Sequence, residues 1–146
     1  TILRGNASEI LALAGSGKGG KGVDSTDDSR TALSAAQRLA EETGTVVCVT
    51  GPVDYATDGK RTLSIAGGNV MTTLVVGTGC SLSALCAAFA AVGKDPVNAA
   101  ISACTLAKYA AGTAAKHAKG PGSFHDEYLD ALYLAQPEAL TVGDAA

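Results

Sequence analysis

The sequence predicts an α/β protein, a sheet flanked by helices with one projecting β-hairpin, and three observations carry that prediction. An amphipathic helical pattern over residues 28–43 stops at Gly44 and runs into Thr45-Val46-Val47-Cys48-Val49-Thr50, a nearly continuous β-branched stretch. Asp58-Gly59 separates two strand-like runs, as in a tight hairpin. Gly77-Thr78-Gly79-Cys80 leads into an apolar segment at 81–92, the composition of a loop entering a buried helix. At 146 residues, 47% of them hydrophobic and 17% charged, the chain can bury the core of one ordinary domain.

Each element follows in order. Ile2 and Leu3 precede Arg4-Gly5-Asn6, and residues 7–14 are rich in helix formers, so a strand-to-helix junction is expected near residue 5. Asn6 is placed to cap that helix, with Glu9 three positions on completing the spacing of a capping box. Residues 15–22 form a glycine- and lysine-rich loop. Over 28–43, Leu33, Ala36, Leu39 and Ala40 recur at three- and four-residue spacing, and Gly44 supplies the stop. The run 45–50 then reads as a strand buried on both faces.

Segments 53–57 and 61–65 form the hairpin, Gly67-Gly68 ends it, and 71–76 reads as a strand-like approach to Gly77. The 81–92 segment, apolar almost all round, predicts a central helix. Residues 96–118 place Asn98, Ser102, Thr105, Lys108, Lys116 and Lys119 on one stripe, away from Val97, Ile101 and Cys104, which predicts a surface helix. Ser123 is expected to cap a last helix striped by Phe124, Tyr128, Leu132 and Ala135, with Pro137 at its end. Residues beyond 140 read as frayed, and no internal repeat is present.

The formal net charge of −3 offers no basic face for nucleic acid, so a small-molecule partner is expected. No uninterrupted apolar run approaches the ~20 residues of a membrane helix, and nothing at the start reads as a signal peptide. The four cysteines, at 48, 80, 86 and 104, form no C-x-x-C pair, which disfavours zinc. Cys48, Cys86 and Cys104 lie in apolar surroundings and are expected to be buried as small hydrophobes in a reducing cytoplasm. His117 and His125 are isolated and read as surface residues. The chain starts at Thr1 in what reads as the end of a strand, so it is expected to be part of something larger.

Several constellations could carry chemistry. Gly15-Ser16-Gly17-Lys18-Gly19-Gly20-Lys21 has the opening spacing of a phosphate-cradling P-loop, but Gly22 stands where a Mg²⁺-binding hydroxyl is required and a helix, not a strand, precedes it; a surface loop is the expectation. Gly77, Thr78 and Gly79 open a helix, so their backbone N–H groups can converge on an anion, and the glycines permit close approach of a phosphate. Cys80 falls in the first turn, where a thiolate is favoured; it accepts a proton from an attacking hydroxyl, acts as a nucleophile, or packs beneath the helix. Arg4 before a helix start can hold phosphate oxygens, and Asn6 with Glu9 can offer oxygens to Mg²⁺; the alternative is a plain capping box beside a solvated arginine. Thr50, ending the buried strand, lies where open α/β sheets bind ligands.

Taken together, Arg4-Gly5-Asn6-Ala7-Ser8-Glu9-Ile10, Gly22-Val23-Asp24, Val49-Thr50-Gly51, Asp54-Tyr55, Thr57-Asp58-Gly59, Gly77-Thr78-Gly79-Cys80 and Gly120-Pro121-Gly122-Ser123-Phe124 resemble hydroxyethylthiazole kinase in order and spacing across almost the whole chain. The resemblance implies a ribokinase-like three-layer fold with a mostly parallel sheet, of which residues 1–146 form the C-terminal portion of a single kinase domain, the N-terminal half being absent. It further implies ATP-dependent phosphorylation of 4-methyl-5-(2-hydroxyethyl)thiazole for thiamine synthesis, Mg²⁺ as cofactor, and a homotrimeric complete enzyme, with the missing half as a partner of this chain.

By position, Arg4 and Thr50 would contact ATP, and Asn6 with Glu9 would place Mg²⁺. Gly77, Thr78 and Gly79 would form the anion hole, with Gly77 also touching the thiazole. Cys80 would stand where most ribokinase-like enzymes carry an aspartate base. Two departures weaken the charge around the loop: Leu74 replaces a frequent Lys or Arg, and Pro52 stands where a charged residue is common. A piece lacking half the domain is expected to be poorly active alone, and its rival role is a non-catalytic nucleotide- or anion-binding module in an interaction.

Overall fold

The computed structural model describes residues 1–15, 29 and 32–140. Strand β1 (Ile2–Asn6) pairs parallel with β2 (Val46–Thr50), and β2 continues antiparallel into β3 (Val53–Thr57) and β4 (Thr62–Ala66), giving the sheet order β1-β2-β3-β4. The helices are α1 (Ala7–Leu13), α2 (Leu33–Thr43), α3 (Thr78–Val92), α4 (Pro96–His117) and α5 (Pro121–Leu134). The expected α/β class, hairpin and flanking helices are all present. The sheet is mixed, with parallel pairing confined to β1 and β2 among the described residues. No helix of the described residues is long and apolar enough to cross a membrane.

The period-two alternation of β2 produces the layers. Val47 and Val49 face Ala7, Ile10, Ala36, Leu39 and Ala40 of α1 and α2, whereas Val46 and Cys48 face Leu82, Cys86, Ala100 and Cys104 of α3 and α4. Helices therefore cover both faces of the sheet, and α5 packs on α4 as an outer element through Phe124 and Tyr128 against Ala110, Ala111 and Ala114. Asn6 caps α1 with the full capping box, and Gly44 closes α2 in the left-handed conformation (φ 65°). In the hairpin, Asp58 N–H bonds Arg61 O while Asp58 Oδ1 accepts from the N–H groups of Lys60 and Arg61, so Gly59 and Lys60 form the tip.

Several expectations are corrected. Residues 71–76 are not strand-like: Val70–Thr73 is a 3-10 turn, capped by Asn69 Oδ1 on Met71 N–H and closed by the hydroxyls of Thr72 and Thr73 on the carbonyls of Asn69 and Val70. Those short side chains offer the backbone a local alternative to a ladder, which overrides the β-branched composition. The roles of the two long helices are also exchanged. α4 is the buried one, with Val97, Ala99, Ala100, Ile101, Ala103, Cys104, Thr105, Ala110, Ala111 and Ala114 covered, because its alanines admit α3, α5 and the sheet around it.

α3 buries only Leu82 and Cys86, and Val92 at its end is 84% exposed. Ser123 is not the cap of the last helix: α5 starts at Pro121, and Ser123 Oγ inside its first turn accepts from Lys119 N–H. Ala135 follows the helix rather than lying on its stripe. The P-loop-like segment beyond Gly15, the Gly22-Val23-Asp24 match, residue 28 at the start of the second helical pattern and the residues after 140 lie outside the described residues.

Candidate active site

The carboxyl ends of β1 and β2 open into a cleft of about 800 Å³, the side on which α/β sheets bind ligands. Asn6 and Thr50 line it from the strand ends, Arg4 from the middle of β1, Thr78 and Gly79 from the start of α3, and Lys108 from α4. Of the sequence-predicted site residues, then, Arg4, Asn6, Thr50, Thr78 and Gly79 share one wall-to-wall space. Glu9, Gly77 and Cys80 are not among its lining residues. Glu9 reaches Asn6 through the capping box, and Gly77 and Cys80 flank the two loop residues that do line it.

Arg4 is half-buried rather than solvated. Its Nη2 donates to Thr50 Oγ1 at 3.2 Å, and Thr50 Oγ1 donates weakly to Gly5 O at 3.4 Å. The guanidinium lies against Gly79, where an added Cβ would come within 3.2 Å of Nη2 and 3.3 Å of Nη1. Arg4 Nε is buried with no acceptor among the described residues. A donor left so costs about 1–3 kcal/mol, a penalty more readily kept where the side chain is held ready for a ligand.

Gly77 takes φ 102°, open to glycine without strain, and brings no capping side chain to α3. The first intrahelical bond runs from Ser81 N–H to Gly77 O at 2.8 Å, so the N–H groups of Thr78, Gly79 and Cys80 have no helical acceptor. Thr78 Oγ1 donates to Thr72 O at 3.0 Å and ties this start to the 3-10 turn. A full positive charge and the positive end of a 15-residue helix thus meet at one point.

Asn6 Oδ1 accepts from Glu9 N–H at 2.9 Å and from Ser8 Oγ at 2.8 Å, and Glu9 Oε2 accepts from Asn6 N–H at 2.7 Å. Cys80 is exposed, which removes the reading of a cysteine packed beneath the helix, and the other three cysteines are buried as expected. Cys48 Sγ lies 3.5 Å from Cys104 Sγ, and the neighbouring thiols of Cys104 and Cys86, together with burial, push the Cys48 thiol up. His117 and His125 are exposed.

Sequence reasoning missed a buried ion pair in the cleft wall. Lys108 Nζ lies 3.4 Å from Asp54 Oδ1, and Asp54 Oδ1 also accepts from Gly51 N–H at 2.9 Å. Burial pushes the Asp54 carboxyl above its ordinary value, with Lys108 and the Gly51 N–H pulling the other way. A signal existed: at three and four residues on either side of Lys108 stand Cys104, Thr105, Ala111 and Gly112, none charged, so any counter-ion had to come from another element.

The hydroxyethylthiazole kinase family matches residues 1–138. Among curated relatives, the chain is similar to a hydroxyethylthiazole kinase of Citrobacter koseri, 57% identical over 136 residues, covering 93% of this chain and 52% of the relative. It is 59% identical over 131 residues to one of Klebsiella pneumoniae, covering 90% of this chain and 51% of that protein. The solved hydroxyethylthiazole kinase protein from Pyrococcus horikoshii OT3 matches with a TM-score of 0.83 at 37% identity, over 97% of this chain and 52% of its own. The chain spans about half the length of the curated relatives it matches. These relatives carry the name of a kinase and give no support to a non-catalytic binding module.

Proposed function

Because the chain belongs to the hydroxyethylthiazole kinase family, we propose that it carries the phosphate-binding and proton-accepting part of an enzyme that transfers the γ-phosphoryl group of ATP to the hydroxyethyl oxygen of 4-methyl-5-(2-hydroxyethyl)thiazole in thiamine synthesis. The observation that carries this reading is the meeting of Arg4 with Thr50 and Gly79 beside the open N-terminus of α3. Phosphoryl transfer through a loose transition state depends mostly on positioning and on fixed donors for the spreading negative charge. Arg4 supplies a cation for the nucleotide phosphates, Thr50 orients it, and the N–H groups of Thr78, Gly79 and Cys80 receive the oxygens of the phosphoryl group in flight.

Cys80 takes the proton released from the hydroxyethyl oxygen as its bond to phosphorus forms and the bond from phosphorus to the ADP oxygen breaks. Its exposure fits a group that meets a substrate arriving from outside this chain. Gly77 touches the thiazole. Asn6 and Glu9 fit Mg²⁺ held largely through water, since Asn6 Oδ1 already has two donors and Mg²⁺ keeps several waters. When bound, the ion neutralises phosphate charge. In the complete enzyme the chain forms the C-terminal portion of one domain, assembled as a cytoplasmic homotrimer, with the rest of the thiazole pocket supplied from outside residues 1–146.

Coupled ADP release with hydroxyethylthiazole, ATP and Mg²⁺ tests the reading, run on this chain alone and with the family's N-terminal half added. Phosphorylation after addition is the expected result. No turnover and no ATP binding under either condition would overturn it.

A further inference from the structure

Lys108 looks at first like one more phosphate ligand, since it lines the cleft and carries a charge. Its hydrogen-bonding capacity argues against that role. An ammonium has three N–H donors, and Lys108 Nζ already lies 3.0 Å from Gly51 O, 3.2 Å from Pro52 O and 3.3 Å from Gly67 O, besides the Asp54 carboxylate at 3.4 Å. All its donors are engaged within the protein, and its side chain is only 11% exposed.

The four acceptors lie on the two segments that leave the open end of the β3–β4 ladder, whose last pair is Val53 with Ala66. Gly51, Pro52 and Asp54 form the turn that follows Thr50 and the start of β3, and Gly67 begins the segment that continues through Gly68 and Asn69 into the cleft lining. Gly67 (φ 114°) and Gly68 (φ 79°) occupy backbone conformations that favour glycine, and a Cβ on Gly68 would stand 3.4 Å from Lys108 Cγ, so this segment wraps the lysine stem. The Val53–Ala66 pair of the β3–β4 ladder joins the two segments at their base, and beyond it no backbone hydrogen bond ties Gly51 and Pro52 to Gly67–Asn69 among the described residues.

Resting on the kinase reading above, we propose that Lys108 is a positioning residue: paired with Asp54, it holds the Gly51–Pro52 turn and the Gly67–Asn69 segment at the separation that admits the nucleotide, without touching a phosphate itself. Thr50, one residue before the clamped turn and the hydrogen-bond partner of Arg4, is the point where loss of the clamp reaches the anion site.

The test separates positioning from folding. Lys108→Met leaves a buried carboxylate unpaired and is expected to lower stability. Lys108→Met with Asp54→Asn removes both buried charges, and such double neutral replacements are often no less stable than the pair. In the chain complemented with the family's N-terminal half, the double variant is expected to recover much of the melting temperature lost in Lys108→Met. KM for ATP is expected to remain raised by about tenfold or more, as when binding groups are moved off their productive geometry, with KM for the thiazole alcohol unchanged. Recovery of KM for ATP together with melting temperature overturns the proposal and leaves the pair a purely structural one. If wild-type protein binds no ATP by calorimetry, the kinase reading itself fails and the proposal with it. Should the double variant not fold, Gly68→Ala gives the second measurement, with KM for ATP expected to rise in a folded protein and an unchanged KM counting against the clamp.

Discussion

Arg4 Nη2 reaches Thr50 Oγ1 at 3.2 Å although the strand register pairs Arg4 with Cys48 and Thr50 with Asn6. The arginine side chain therefore leans forward by two positions, toward the carboxyl ends of β1 and β2. That lean carries the guanidinium over Gly79 and brings a cation to the point where a strand pair and a helix start meet.

Replacing Arg4 by Met keeps the stem and removes the charge. Loss of a charge-assisted hydrogen bond is worth about 1.5–3 kcal/mol, so KM for ATP should rise about ten- to a hundredfold in the complemented enzyme. Arg4→Lys should recover little of it, because a point charge does not reproduce the planar fork that spans Thr50 and Gly79. Full recovery with lysine would show that only net charge matters there.

Gly79→Ala separates stability from activity. Gly79 lies in a helix at ordinary φ, so alanine should leave stability unchanged or raise it by up to about 1 kcal/mol. Its Cβ would nevertheless stand 3.2–3.3 Å from both Arg4 Nη atoms and displace the guanidinium. Thermal melting and ATP titration on the same sample should move in different directions, and undiminished ATP affinity would argue that Arg4 does not act from its present position.

Cys80 is the exposed one of the four thiols, so native protein should consume one equivalent of a thiol reagent promptly and the remaining three on unfolding. In the complemented enzyme Cys80→Ala should lower kcat about a hundredfold, the lower range of general base contributions, and Cys80→Asp should retain or raise it. An alanine variant as fast as wild type would remove the base assignment.

Stability should depend on acid in two opposing ways. Asp58 and Asp95 are held below their ordinary value of 3.8, Asp58 chiefly by the Arg61 N–H and Asp95 chiefly by the Asn98 N–H with the Arg61 guanidinium, so their stabilisation is present above 3.8 and lost as the pH falls through their folded values. Asp54 is raised by burial, so the stability linked to its protonation is present below 3.8 and lost as the pH rises through its folded value. Chemical denaturation across that range should show Asp54→Asn abolishing the decline on the rising side, and a profile identical to wild type would place the burial of Asp54 in doubt.

The local elements were readable wherever a short-range cause sets them: the capping box at Asn6 and Glu9, the stop at Gly44, the doubly buried β2 and the hairpin turn. What could not be read was which helix lies inside. α3 carries larger apolar residues than α4, yet burial followed packing distance, and the alanines of α4 let three neighbours close around it. The candidate site was legible as a set of strand and helix ends, because Asn6, Thr50 and Gly79 each sit at or next to a terminus and Arg4 lies two residues before the end of β1. Lys108 was hidden because its partners, Asp54 and the carbonyls of Gly51, Pro52 and Gly67, come from chain segments 41 to 57 residues away.

The alternation along β2 has a bearing on which changes of length the chain can absorb. Val46 and Cys48 belong to one core and Val47 and Val49 to the other, with four consecutive residues almost wholly covered. One inserted or deleted residue in this strand would send each side chain to the opposite layer, so large and small residues would arrive where the other kind is accommodated, in both cores at once. It would also carry Thr50 off the strand end where Arg4 waits. β2 is thus a ruler read from three places, and substitutions within it are tolerable where a change of a single residue in its length is not.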